Sequence, residues 1–357
     1  MPRSLPGFMR CKTMNTDIMH DQLHLTYTGD DSEGYIRKRS GRGFAYFDQQ
    51  GNKVTEKEEL NRIKSLVIPP MWSKVWISKN PNGHIQATGR DARNRKQYLY
   101  HTDWTAHQQQ NKFSRLIEFG YALPHIRREI EGLLRKRGWP REKVLALIVA
   151  ILDETYVRIG NWYYYETNGT HGLTTLRRKN LEINGKNITF RYKAKSNKVR
   201  EVKIRNTRLN RLIKQCSELR GYEIFRYIDE QGNTVPVDSS DVNAFLREIS
   251  GEAFTSKNFR TWGGTVLAVK VFPEAWEKSQ QNKRLKLSRA IVKSVAEQLG
   301  NTMSICEKYY IHPTVLQILS HNFDPQSYSC DHYPEGLSGH EKMALAIMES
   351  AKKVNRQ

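Results

Sequence analysis

Between Tyr27 and about Tyr100, apolar and polar residues alternate in short bursts broken by turn residues, which predicts strands. The stretch "GFAYFDQQGNKV" (43–54) reads as strand, turn and strand, with the reversal at Gln50-Gly51-Asn52. "VWISKNPNGHIQATG" (75–89) repeats that arrangement around Asn80-Pro81-Asn82-Gly83. Between them, "EKEELNRIKSLVIPP" (56–70) predicts one helix, stopped ahead of Pro69-Pro70. Residues 25–104 thus form a small β-rich domain. Residues 1–24 carry no clear periodicity and read as a loose extension.

After "YHTDW" (100–104) the spacing turns helical, so residues 105–357 are expected to form a mainly α-helical domain. Pro140 opens a helix whose apolar stripe runs through Val144, Leu147, Ile148, Ile151 and Thr155 and continues to Arg158. A guanidinium at the end of an apolar stripe is costly unless an anion or a carboxylate meets it. From spacing alone, an ion pair with Asp153 or Glu154 accounts for Arg158 as well as a ligand does. "NLEINGKNITFRYKAKSNKVREVKI" (180–204) interrupts the helices with a β-hairpin, signalled by Asn184-Gly185. Ile188, Phe190 and Tyr192 share one face of its second strand, and Lys195 sits at or beside the next turn, where a lysine is ordinarily only solvated. Leu287, Ile291, Val295 and Leu299 form the seam of a helix that stops at Gly300. Residues 321–337 read as a loop, and Ser338 with Glu341 makes a capping box for a last helix. "SICEKYYIHP" (304–313) predicts a short helix with Tyr309 and Tyr310 in its first turns, pointing about 100° apart, so one core cannot take both. The fold class is therefore α+β.

Charge narrows the function. Fifty-eight Lys and Arg against 37 acidic residues give a net charge of +21, far beyond what solubility needs. The excess points to a polyanionic partner, nucleic acid above all. Basic runs such as "RKRSGR" (37–42), "GRDARNRKQY" (89–98) and "LRRKN" (176–180) are interleaved with aromatic segments, which fits a folded basic surface better than a disordered arm. The four cysteines, Cys11, Cys216, Cys306 and Cys330, have no CxxC spacing and suggest reduced thiols in a cytoplasmic setting, at the nucleoid if the cell is bacterial. Cys330 and His332 alone do not make a metal site. No run approaches a membrane span, and the first 20 residues lack the apolar stretch of a secretory signal.

Five segments together carry a resemblance: "IPPMWSKVWISKNPNGHIQATGRDARNRKQYLYH" (68–101), "ETYVRIGN" (154–161), "YKAKSNK" (192–198), "SKNFRTWGGT" (256–265) and "SICEKYYIHP" (304–313). In order and at fitting intervals, they make the chain similar to type IB DNA topoisomerases of the compact poxvirus and bacterial kind, over roughly residues 33–320. The resemblance implies a tyrosine that attacks a DNA phosphodiester, forming a 3′-phosphotyrosyl link and releasing a 5′-hydroxyl. Two arginines meet the charge on the non-bridging oxygens, and a lysine protonates the leaving oxygen. By motif, Tyr310 is the nucleophile, Arg158 and Arg260 the two arginines, Lys195 the general acid and Lys257 a supporting cation. The family more often shows Gly-Lys-Ser-Gly where this chain has Ala194-Lys195-Ser196-Asn197. Poxvirus-type members carry a histidine nine residues before the nucleophile; here Asn301 stands there and can donate one hydrogen bond to a phosphate oxygen. In "KQYLY" (96–100), Gln97, Tyr98 and Tyr100 resemble a DNA-contacting strand, although Tyr98 and Tyr100, which share a face, could instead fill the domain's own core.

The family implies relaxation of supercoiled duplex DNA by a monomeric clamp, with no metal, nucleotide or other cofactor. A tyrosine recombinase is the alternative with the same catalytic groups, but those enzymes favour His-x-x-Arg where this chain has Lys257-Asn258-Phe259-Arg260, and their N-terminal domain is usually helical. A non-enzymatic DNA-binding protein would explain the charge and leave the four catalytic residue types as coincidence.

Overall fold

The computed structural model describes residues 24–92, 94–194, 198–321 and 323–354. The proposed extension at 1–24 lies outside them except for its last residue, His24. The chain forms two compact units, residues up to Lys112 and residues from Phe113 onward.

The first unit is an antiparallel five-stranded sheet in the order β2-β1-β3-β4-β5. Its strands are β1 (Gly34–Ser40), β2 (Gly43–Phe47), β3 (Ser73–Ser78), β4 (Ile85–Arg90) and β5 (Lys96–Tyr100). One helix, α1 (Lys57–Ser65), brings Ile63 onto Val75, Ile77 and Ala87 to form the small core. α1 is shorter than the predicted 56–70, because Val67 turns to a φ of 48° ahead of the two prolines. The predicted strand after Gln50-Gly51-Asn52 shrinks to a single bridge between Phe47 and Lys53, and β2 pairs instead with β1. Arg37, read as part of a basic surface run, turns inward and is 9% exposed. It donates to the carbonyls of Ile68, Pro69 and Trp72 at 2.8–3.1 Å, fixing the loop between α1 and β3.

The second unit is mainly helical, the α+β arrangement expected from the sequence. α2 (Thr102–Leu133) belongs to it from Phe113 on. α3 (Arg141–Thr155) runs through its centre, with every residue from Lys143 to Val149 buried. α4 (Trp162–Asn168) follows, then the sheet β6 (Leu181–Asn184), β7 (Asn187–Lys193) and β8 (Val199–Ile204). The turn from β6 to β7 sits at Gly185-Lys186, one residue later than the sequence signal, since the glycine takes the left-handed position at φ 61°. Ile188, Phe190 and Tyr192 are buried together as their alternation predicts. α5 (Thr207–Ser217), the hairpin β9 (Arg226–Ile228) and β10 (Thr234–Pro236), and α6 (Ser239–Ser250) come next; the sequence reading missed that hairpin.

The remaining helices are α7 (Ser256–Gln281), α8 (Leu287–Leu299), α9 (Met303–Tyr309), α10 (Pro313–His321) and α11 (Gly339–Val354). α7 packs on α8, α10 and α11. Phe119 meets Phe254 and Phe259 edge-to-face at 5.0–5.2 Å beside the buried Trp262. The predicted capping box is present: the Glu341 amide donates to Ser338 Oγ, and Ser338 N donates to Glu341 Oε2 at 2.8 Å. That carboxylate also receives Arg127 (2.7 Å) and Trp262 Nε1 (3.1 Å), while Arg127 pairs Asp153 at 2.8 Å. One buried charge network thereby joins α2, α3, α7 and α11. No helix among the described residues is long and apolar enough to cross a membrane.

Candidate active site

Arg158 is not on the helix stripe that the spacing suggested. α3 ends at Thr155 because Tyr156 takes a left-handed φ of 54°, an uncommon conformation for a bulky residue. Arg158 therefore lies on the extended segment beyond it. Leu173 N donates to Arg158 O at 3.0 Å and Thr174 N to Ile159 O at 2.8 Å, pinning that segment. Gly160, at φ 89°, lies so close to Gly172 that a Cβ would strike the Gly172 backbone at 2.9 Å. Neither carboxylate that could have neutralised Arg158 does so: Asp153 pairs Arg127, and Glu154 accepts the amides of Arg205 and Asn206. Arg158 instead donates to Asn301 Oδ1.

Arg260 comes from the second turn of α7, whose start is fixed by Thr255 N donating to Asn258 Oδ1 at 2.9 Å. Its side chain is 4% exposed and donates to the carbonyls of Tyr156 and Leu299. So the left-handed Tyr156 aims its carbonyl at one catalytic candidate while ending the helix that precedes the other. Burial and the nearby Arg158 charge push the Arg260 guanidinium down to about 10, with the charge and hydrogen bond of Tyr310 opposing them.

The turn from α8 to α9 supplies the third position. Gly300 caps α8 at φ 62°, as predicted, and Asn301 N returns to Ala296 O at 2.9 Å. Thr302 then caps α9 through Ile305 N. The tyrosines fall at the end of α9, not in its first turns, with Tyr309 its last residue and Tyr310 its C-cap. Tyr310 packs on the main core with its ring centre 5.0 Å from the Arg260 guanidinium carbon, whereas Tyr309 meets Lys308 at 5.4 Å. Its backbone rests directly on Gly264 of α7, where a Cβ would collide with Tyr310 O. Thr265 Oγ1 donates to that same carbonyl at 3.4 Å and accepts His312 N at 3.0 Å.

A pocket of about 250 Å³ opens beside this cluster, lined among others by Arg158, Arg200, Arg260, Lys198, His171 and a single acidic residue, Glu297. Among the described residues no carboxylate forms an ion pair with any of the three arginines. Tyr310 is not in the pocket wall; it reaches the wall through Arg260, whose guanidinium carbon lies 5.0 Å from its ring centre. His171 keeps Nδ1 within 2.6 Å of Thr175 O, and burial lowers its pKa against the opposing pull of that hydrogen bond. Lys195 lies outside the described residues, but Ala194 and Lys198 on either side of it both line the pocket. Lys257 is exposed in the first turn of α7 and does not line it. Arg200 and His171 are the members that sequence reasoning missed. Arg200 looked like one more charge on an alternating strand, and its partners lie 97 and 98 residues away.

In the first unit, Tyr98 and Tyr100 are 44% and 43% exposed and stack with ring centres 6.0 Å apart. They therefore do not fill the core, a role that Leu99 takes between them. The Gln97 amide is engaged by Asp91 at 2.9 Å.

The family model for the catalytic core of eukaryotic DNA topoisomerase I matches residues 96–334, and the one for the N-terminal domain of bacterial DNA topoisomerase IB matches residues 43–91. The chain is 30% identical over 315 residues to DNA topoisomerase 1B of Acanthamoeba polyphaga mimivirus, covering 85% of this chain and 91% of the viral protein. DNA topoisomerase 1B of vaccinia virus (strain Copenhagen) is 22% identical, covering 65% of this chain and 71% of its own. Among solved structures, the XerH site-specific recombinase aligns with a TM-score of 0.34 at 15% identity, over 57% of this chain and 48% of that one. With two family models covering both units and a viral relative matched along most of its length, the chain belongs to the type IB DNA topoisomerases.

Proposed function

We propose that the protein relaxes supercoiled duplex DNA through a 3′-phosphotyrosyl intermediate at Tyr310. The observation that carries this reading is the convergence of unneutralised arginines on one pocket, with the innermost, Arg260, holding its guanidinium carbon 5.0 Å from the Tyr310 ring centre. Like charges are costly to gather unless an anion belongs among them. A phosphodiester held there would give its non-bridging oxygens to Arg158 and Arg260, whose forks are charged at neutral pH. Asn301, already bonded to Arg158, adds a carboxamide donor.

Tyr310 Oη gives up its proton to solvent and bonds to phosphorus, while Arg260 stabilises the phenolate. The P–O5′ bond breaks in line, and the leaving oxygen takes a proton from Lys195. The free 5′ end rotates about the intact strand, and the reverse steps reseal the break. The phosphotyrosine keeps the energy of the broken bond, so no nucleotide is consumed. The exposed Tyr98–Tyr100 pair is suited to stack on or press against DNA held by the first unit, with Gln97 beside it. The enzyme acts as a monomer enclosing the duplex, and Lys257 adds positive charge without touching the phosphate.

Incubation with supercoiled plasmid in EDTA without ATP tests this reading. Stepwise relaxation is expected; a mobility shift without relaxation, or strand exchange between duplexes, would remove it.

A further inference from the structure

Arg200 is the second residue of β8 and pairs across the hairpin with Tyr192. Two pairs further along, Ala194 N donates to Lys198 O at 2.8 Å, closing the neck of the segment that holds Lys195. From that neck the Arg200 guanidinium reaches the last turn of α8, donating to Gln298 O and, at 3.4 Å, to Glu297 O. Those are orphan carbonyls of a helix C-terminus, where a cation is favoured. The approach is tight: a Cβ on Gly300 would run into the Arg200 guanidinium. The next carbonyl, Leu299 O, is taken by Arg260, and Asn301 follows at once. Arg200 lines the pocket with Arg158 and Arg260; burial lowers its pKa, Tyr192 raises it and Arg158 lowers it again.

We infer that Arg200 is a positioning residue for leaving-group protonation: it ties the paired ends of the hairpin, Ala194 and Lys198, to the end of α8 beside the phosphate-binding residues. The inference rests on the reading of Lys195 as proton donor. Without the tie, Asn301 and the two phosphate arginines keep their own anchors, the carbonyls of Ala296, Tyr156 and Leu299 and the backbone of Leu173 and Thr174. Beyond its internal pairing and its core face, the hairpin keeps one backbone bond at the neck, from His171 N to Lys193 O at 2.8 Å, and one from Asn180 Nδ2 to Arg191 O at 3.2 Å; neither reaches α8.

The test compares Arg200→Met and Arg200→Lys with wild type on two duplexes that differ in one atom at the cleavage site, a 5′-bridging oxygen or a 5′-bridging sulfur. A thiolate leaves without a proton. On the oxygen substrate, Arg200→Met should lower the rate of covalent adduct formation on the order of 10²-fold, the usual size of a general-acid contribution. On the sulfur substrate it should stay within about threefold of wild type, since transition-state charge is still matched. Arg200→Lys keeps the charge without the fork and should fall between, with the same dependence on the leaving atom; it carries the comparison if the methionine variant does not fold. Equal losses on both substrates would overturn the inference and make Arg200 a phosphate ligand or a purely structural cap, and no loss on either would remove it altogether. Wild-type protein that forms no adduct with either duplex would instead sink the topoisomerase reading of the site, and this inference with it.

Discussion

At the scale of single residues, the site depends on charges that the fold leaves unmatched. Arg127, with two carboxylates, and Arg158, with none, are both partly buried arginines of the same unit, and the second lines the pocket. Arg158→Ala and Arg260→Ala should each slow covalent adduct formation by about 10²–10³-fold, as expected for removing a donor aimed at transition-state charge. DNA affinity, measured by filter binding, should change little. Lys195→Ala should lose cleavage of the oxygen-linked duplex and recover it on the sulfur-linked one. A normal rate for either arginine variant would take that residue out of the site. Arg158, Arg260 and Tyr310 were legible because motif and charge singled them out. Arg200 was not, since what distinguishes it is a pair of main-chain carbonyls distant in sequence.

Among the elements, local signals survived where backbone chemistry dictates them. Gly300 stops α8, Ser338 and Glu341 cap α11, and the β7 alternation buries Ile188, Phe190 and Tyr192. The signals failed where tertiary contacts override local pattern. Tyr156, a poor candidate for a left-handed cap, ends α3 early because its ring packs on Gly263 and its carbonyl meets Arg260. The tyrosines move to the end of α9 because Thr302, not an earlier residue, caps it. Gly264 is the contact on which Tyr310 rests, and Gly264→Ala should displace it. Adduct formation is expected to fall by up to about 10²-fold, the cost of a misplacement near 1 Å, while circular dichroism stays that of a folded protein. An unchanged rate would mean the nucleophile is set by other contacts.

The charge network of α2, α3, α7 and α11 sets a pH dependence at the same scale. Burial pushes the Glu341 carboxyl up, but Arg127, the Ser338 amide and Trp262 outweigh it and hold the group below its ordinary 4.5. A folded-state value below the unfolded one stabilises the fold fully above about pH 4.5 and progressively less as pH falls through the folded value. Glu341→Gln should cost about 3 kcal/mol near neutral pH, as for a broken buried pair. It should also flatten the acid limb of the stability curve from urea denaturation. An acid limb as steep as that of wild type would show that other carboxylates govern acid unfolding.

Over the whole molecule, a net charge of +21 means that DNA affinity is dominated by released counterions. Raising salt from 50 to 200 mM should weaken binding by about 10³–10⁵-fold if some six to ten phosphates are contacted. Replacing both Tyr98 and Tyr100 by alanine should weaken binding by ~10-fold or more without altering that salt slope, since stacking carries no charge. A changed slope with unchanged affinity would contradict their role.

The most direct test of the central claim is the identity of the residue that becomes bonded to DNA. Wild type and the Tyr309→Phe and Tyr310→Phe variants would be trapped on a nicked suicide duplex, digested, and the modified peptide sequenced by mass spectrometry. The expected result is a phosphotyrosyl adduct at Tyr310 in wild type and Tyr309→Phe, and none in Tyr310→Phe, which should still bind DNA. An adduct that persists in Tyr310→Phe, or that vanishes in Tyr309→Phe alone, would contradict the account.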